Sequence, residues 1–225
     1  MKKTKIFLTL SLVLAMVFTL FACSLKLGGE ETWESTADNK EGVISLFDGF
    51  FEKTFANTNQ VITVTSGGET VYVENIDGTS DYVSYADSNN DNWSFIKDGE
   101  YIYAMNGEDM NYYMVGEENY NYGYFVYKST AEIFKMVPEE DGVTFSCVVK
   151  GSKKDGKSTE TLTLEVKNGD AGSLTISASS TDGLVDTITI VSSQEGTTTT
   201  TTMTIAYGGA SVTVPDITSW VKEDF

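Results

Sequence analysis

Cys23 is the residue with the clearest chemistry. It follows Leu20-Phe21-Ala22 and closes a run that is basic at Lys2, Lys3 and Lys5 and apolar from Ile6. The lysines hold the start of the chain at the cytoplasmic face while roughly 15 apolar residues enter the bilayer, and small Ala22 lets a peptidase cut before the cysteine. A diacylglyceryl thioether on the Cys23 sulfur supplies two acyl chains at about 0.8 kcal/mol per buried methylene, enough for durable anchoring. The alternative is an ordinary secretory signal, or an uncleaved anchor, with Cys23 there by chance. The expectation is a lipid-anchored protein on the extracytoplasmic face of a cell membrane.

Little else in the chain is equipped for catalysis. The 33 acidic residues face 15 lysines, with no histidine and no arginine, for a formal charge of −18; without residues 1–22 the balance is 33 acids against 12 lysines, or −21. Histidine is the usual general base and arginine the bidentate clamp for phosphates, so many sites are removed at once. The charge disfavours nucleic acid as a partner. Serines and threonines lack a histidine to activate them, and a serine-lysine motif is absent. Cys147 lies in the apolar run from Val143 to Val149 and reads as a small buried residue. Asp87-Ser88-Asn89-Asn90-Asp91-Asn92, with Asp98 at the twelfth position, resembles the start of a calcium loop. It lacks the glycine at the sixth position, and a wide hairpin loop uses the same residue types. The expectation is a non-enzymatic protein without metal or cofactor. An aromatic-rich stretch from Trp93 to Tyr127 places Tyr120, Tyr122 and Tyr124 on one strand face, as a ligand wall or as cross-strand pairing.

The elements that must position these residues are legible in the spacing. Residues 24–40 are polar and aperiodic, with Gly28-Gly29, and read as a flexible tether. From Val43 to Phe55 the apolar residues fall at helical spacing, with Asp38 or Asn39 as a cap; this face carries Phe47, Phe50, Phe51 and Phe55. After Asn59 the period changes to two, and in the second half turn glycines stand at 142, 156, 169, 183, 196 and 209, a pitch of 13 or 14. That pitch predicts strands near ten residues in an antiparallel meander. Ser129-Thr130-Ala131-Glu132 has capping-box spacing ahead of Ile133, Phe134, Met136 and Val137, with Pro138 as the stop, and predicts a short helix over one mouth of the sheet. A β-solenoid fits the pitch less well, because only the turns recur. A membrane barrel conflicts with six consecutive threonines at 197–202.

Together these predict a mainly β (α+β) domain over 41–225. A curved antiparallel meander, an incomplete barrel of about 11–12 strands, wraps around the amphipathic helix, with a lid helix near 129–137. Residues 1–22 are a lipoprotein signal peptide, and 23–40 carry the lipidated cysteine and tether.

This order of parts resembles the lipoprotein-carrier superfamily of the periplasmic chaperone LolA and the mycobacterial lipoproteins LppX and LprG. Lys97-Asp98-Gly99-Glu100-Tyr101-Ile102-Tyr103 is similar to their strand-turn-strand hairpins, and Tyr207-Gly208-Gly209-Ala210-Ser211-Val212-Thr213-Val214-Pro215 to their closing strand pair. The resemblance spans about residues 41–218. It implies an apolar cavity holding acyl chains of a lipid or lipoprotein, with Phe47, Phe50, Phe51 and Phe55 on a plug and Ile133, Phe134 and Met136 on a lid. The chain departs from LolA-type carriers in having no arginine to serve as a latch. A surface module that binds a protein or cell-wall glycan through its sheet edge or tyrosine-rich face is the competing expectation.

Overall fold

The computed structural model describes residues 30–77, 82–87, 92–98, 101–106, 110–115, 130–169, 171–212 and 216–223, so Cys23 and Tyr120, Tyr122 and Tyr124 lie outside the described residues. In chain order the elements are β1 (Glu31–Ala37), α1 (Lys40–Ala56), β2 (Asn59–Ser66), β3 (Glu69–Asp77), β4 (Tyr82–Asp87), β5 (Asn92–Asp98), β6 (Tyr101–Asn106) and β7 (Asn111–Val115). A 3₁₀ turn at Ile133–Met136 precedes β8 (Val143–Lys154), β9 (Lys157–Asn168), β10 (Gly172–Thr181), β11 (Leu184–Gln194) and β12 (Thr197–Tyr207). A second 3₁₀ turn, Ile217–Ser219, leads to β13 (Val221–Lys222).

The turn chemistry acts as expected. Asp155-Gly156 and Asp182-Gly183 take positive φ at both central residues, 52° and 84° and then 54° and 81°. This is the turn whose twist matches the strands it joins. Strands β8 to β12 are accordingly 10 to 12 residues long.

In space the order is β1-β8-β9-β10-β11-β12-β2-β3-β4-β5-β6-β7-β13. Two antiparallel meanders, β2–β7 and β8–β12, are joined where β12 pairs with β2, and the ends β1 and β13 do not meet, so the sheet is open. Thirteen strands lie among the described residues, against an expected 11–12. The two additions are short edges that carry no glycine turn to announce them: β1, antiparallel to β8, and β13, parallel to β7 over two residues. Among the described residues no helix is long and apolar enough to cross a membrane.

One face of the sheet is apolar because alternate residues point to it. Phe145, Cys147 and Val149 of β8 share it with Leu162, Leu164 and Val166 of β9, Ile176 of β10, Ile188 of β11 and Met203 of β12. Helix α1 lies against β1, β8, β9 and β11 on this face. It begins at Lys40 after Asn39, one of the two expected caps, which accepts the Gly42 N–H at 2.9 Å. Val43, Phe47, Phe50, Phe51 and Thr54 are its buried residues. Phe47 stacks on Phe51 with centroids 4.4 Å apart, and Phe51 on Phe55 at 5.1 Å.

Residues 31–37 correct the expected tether of 23–40. They form β1, held by Trp33, whose indole lies across Gly151 where a Cβ would come within 2.2 Å of it. The indole N–H donates to Glu160 Oε1 at 3.2 Å. With Trp33 and Ala37 the only apolar residues in β1, its alternation is too faint to read.

Phe47→Ala should lower the free energy of unfolding by about 3–5 kcal/mol in denaturant titration. Gly151→Ala should detach β1 specifically, visible as faster amide exchange at 31–37 with the β9–β12 amides unchanged.

Candidate functional site

The helix face, the 3₁₀ turn and the near end of the sheet converge where β8 begins and the β9–β10 and β11–β12 turns lie. Phe134 is fully buried and meets the Phe47 ring edge-on at 4.8 Å. Lys135 Nζ donates to Asp48 Oδ1 at 2.5 Å and to Glu132 Oε1 at 3.1 Å, and sits 5.3 Å from the Phe47 ring centre. These partners hold its ammonium charged, raising its pKa against an opposing desolvation. Lys40, in the first turn of α1, donates to the Val137 carbonyl at 2.5 Å. Two lysines and one phenylalanine thus latch the turn to the helix. Ser129, the cap of the expected box, lies outside the described residues; Glu132 pairs with Lys135 at 3.1 Å and makes no side-chain cap to the 3₁₀ turn.

Beside the residue that leaves this turn, Val137, is an open depression of about 270 Å³, with Val137, Val166 and Leu174 as its apolar wall and Asn168 and Ser192 also lining it. Ligand pockets that enclose a small molecule start near 300 Å³, so an open depression of this size does not enclose one. The seven expected cavity residues divide sharply. Phe47, Phe51 and Phe134 are 0% exposed and Phe50 6%, all filled against protein, and Phe55 packs partly buried beside them. Ile133 and Met136 are 45% and 74% exposed and point away from the interior. The four-residue 3₁₀ turn, with three residues per turn, presents only Phe134 inward. Val166 and Leu174 were hidden among identical-looking core positions, and only the adjoining lid sets them apart.

At the opposite end of α1 a second constellation was missed from sequence. β11 carries a bulge: Ser179 pairs with Thr187 and Ser180 with Val185, leaving Asp186 over. The β12 ladder starts only at Thr187. The Val185 N–H therefore donates to Thr54 Oγ1 at 2.9 Å, and its carbonyl accepts from the Tyr207 hydroxyl at 2.7 Å. The two hydroxyls are 3.2 Å apart, so the Thr54 proton is left to reach Tyr207 and close a ring of three bonds. Gln60 Nε2 donates to the Thr54 and Asn57 carbonyls at 2.5 and 2.8 Å, meeting the last turn of the helix. Burial pushes the Tyr207 phenol up to about 12. This clamp binds helix to sheet and leaves no atom for a substrate.

Cys147 is fully buried, and burial raises its thiol to about 11, so it is no nucleophile at neutral pH. The calcium-loop resemblance fails on geometry. Asp87 ends β4 beside Asn92, the start of β5, while Asp98 ends β5 about 20 Å further along that strand, and residues 88–91 lie outside the described residues. The outer face of the sheet carries a different pattern. Thr161, Ser179, Thr187, Thr204 and Thr63 form one row across β9, β10, β11, β12 and β2, and Thr163, Ser177, Thr189, Thr202 and Thr65 form the next. No protein-family model matches the chain, and no curated protein matches it.

Two titrations check this geometry. Cys147 should resist a thiol reagent in native protein and react once the chain unfolds. The folded state keeps Tyr207 neutral while the unfolded chain ionises it above pH 10, so stability contributed there is full below pH 10 and falls as pH rises toward about 12. Tyr207→Phe should flatten that part of the profile in alkaline unfolding curves.

Proposed function

We propose that the chain is a membrane-anchored, extracytoplasmic binding protein, non-enzymatic, that takes an apolar, acyl-bearing ligand at the lid end of a half-barrel curled around α1. Diacylation of Cys23 is the anchor in this reading. The observation that carries it is the apolar groove of Val137, Val166 and Leu174 at the end of the sheet, next to a turn that two lysines and one aromatic contact hold to the helix. The fully buried Phe47 and Phe51 weigh against a preformed chamber along the helix, so the ligand enters by the end and not the side. An acyl chain suits a wall of aliphatic carbons, and the Asn168 and Ser192 rim suits the polar group to which that chain is joined.

A second reading has its own observation. The two rows of threonine and serine hydroxyls, about 4.8 Å apart from strand to strand, form a broad polar face with a shallow depression bounded by Thr161, Thr163, Ser177, Ser179, Thr187 and Thr189. Such a face suits a cell-wall glycan or a protein partner. Threonine is also simply a good strand residue for a solvated face, which makes this the weaker ground.

The Cys23→Ser chain, made without its anchor, should release acyl lipid into an organic extract read by mass spectrometry. Leu174→Glu should abolish that lipid, with retained fold checked by circular dichroism because Leu174 also packs on the core, whereas Met136→Ser should leave it in place. Extracts free of lipid in every variant would refute the acyl reading. Retention of the Cys23→Ser chain on purified cell-wall glycan, lost in Thr187→Lys with Thr189→Lys, would favour the second.

A further inference from the structure

Alternating strand directions sort the described turns to one end of the sheet or the other. The lid end holds Glu139, Glu140 and Asp141 before β8, Glu195 in the β11–β12 turn and Glu69 at the start of β3, all exposed. The far end holds the β8–β9 hairpin and the C-terminus of α1, and here Lys150, Lys153, Lys154 and Lys157 gather with Lys53. That is five of the 12 lysines after Cys23, on a chain with 33 acids.

Some of this charge is already committed. Lys150 lies 3.7 Å from Glu34, and Lys53 donates to the Asp182 carbonyl. Glu31 stands opposite Lys153, Asp155 sits in the turn, and the Asp182 carboxylate accepts from the Ser158 N–H at 2.9 Å. Lys153, Lys154 and Lys157 are exposed and form no ion pair among the described residues.

The chain enters the sheet at this same end, because Glu31 pairs with Lys153. Eight residue steps separate Cys23 from Glu31, a reach of at most about 28 Å. We propose that the lysine-bearing hairpin at 153–157, with Lys53 beside it, is a docking surface for the anionic lipid headgroups of the membrane that holds the anchor. This rests on the reading of Cys23 as the anchored residue.

Acids at this same end, Glu31, Glu34, Asp155 and Asp182, offset part of the attraction, and the exposed hairpin tip, with Lys153, Lys154 and Lys157 against Asp155, is the part that carries net positive charge. Screening confines electrostatic attraction to about 8–10 Å of the surface, whereas the acidic lid end stands about 40 Å away along the 12-residue β8. Each lysine within that layer favours an anionic surface by about fivefold. Three free lysines would bind weakly from solution, but a tether of this length supplies a millimolar effective concentration. Docking stands the sheet upright with the groove turned outward, toward cargo or a partner beyond the membrane.

The test uses the full lipid-modified chain, purified from a bacterial host, in vesicles of phosphatidylcholine alone or with phosphatidylglycerol, each carrying a headgroup quencher. A fluorophore is placed at Thr159→Cys near the hairpin or at Thr197→Cys at the lid end; buried Cys147 does not compete for the label. The label at 159 should be quenched in phosphatidylglycerol vesicles and released by high salt, and the label at 197 should stay bright. Lys153→Gln, Lys154→Gln and Lys157→Gln together should reduce the preference for phosphatidylglycerol about 100-fold. A chain that floats with both vesicles but shows equal, salt-insensitive quenching at 159 overturns the docking while leaving the anchor intact. A chain that floats with neither overturns the anchor and the docking with it.

Discussion

The contact between the phenylalanine face of α1 and the apolar face of β8–β11 is the constraint on which the other features depend. A 17-residue helix is marginal in water by itself. A sheet face bearing Phe145, Leu162, Leu164, Ile176 and Ile188 would be an adhesive patch if left bare. Each element is therefore stable only through the other. Phe47 is the centre of the arrangement: it touches Phe51 and Phe55 along the helix and Phe134 from the lid, so helix, sheet and lid share one side chain.

Apolar burial alone would let the helix slide along the strands. The ring joining Val185, Thr54 and Tyr207 removes that freedom, since an unpaired buried N–H or carbonyl costs about 1–3 kcal/mol and only one register satisfies both groups of Val185. The bulge at Asp186 that interrupts the β11 ladder is what frees those groups to meet the helix. Asn59 extends the same fixation to the chain beyond β12, exchanging two side-chain bonds of 3.0 Å with the Ala210 backbone.

What could be read in the sequence was whatever repeats. The 13- to 14-residue pitch of the glycine turns delivered strand length, strand direction and an open antiparallel sheet, and the spacing of Phe47, Phe51 and Phe55 delivered the helix and its inward face. Features that occur once were invisible. Trp33 docks a strand inside a segment whose composition reads as a tether, because the glycine that receives it is 118 residues away. Thr54 and Tyr207 look like an ordinary helix residue and an ordinary strand residue until a bulge brings a peptide between them. The short helical turn was placed within its expected span, but periodicity could not tell that a 3₁₀ turn would bury Phe134 and expose Ile133 and Met136.

Magnitudes decide which part gives way when a ligand enters at the groove. Withdrawing Phe134 forfeits about 1.5–3 kcal/mol of burial and about 0.5–1.5 kcal/mol of ring contact with Phe47, while the partly exposed lysine pairs add about 0–1 kcal/mol each. Withdrawing α1 would expose Val43, Phe47, Phe50 and Phe51 together and strand the groups of Val185, several times that cost. In the proposed reading the lid is thus the moving part and the helix the fixed floor. In that reading the lysine suits its place: an ammonium over the Phe47 ring, with one carboxylate on the helix and one on its own turn, holds less rigidly than a bidentate guanidinium fork.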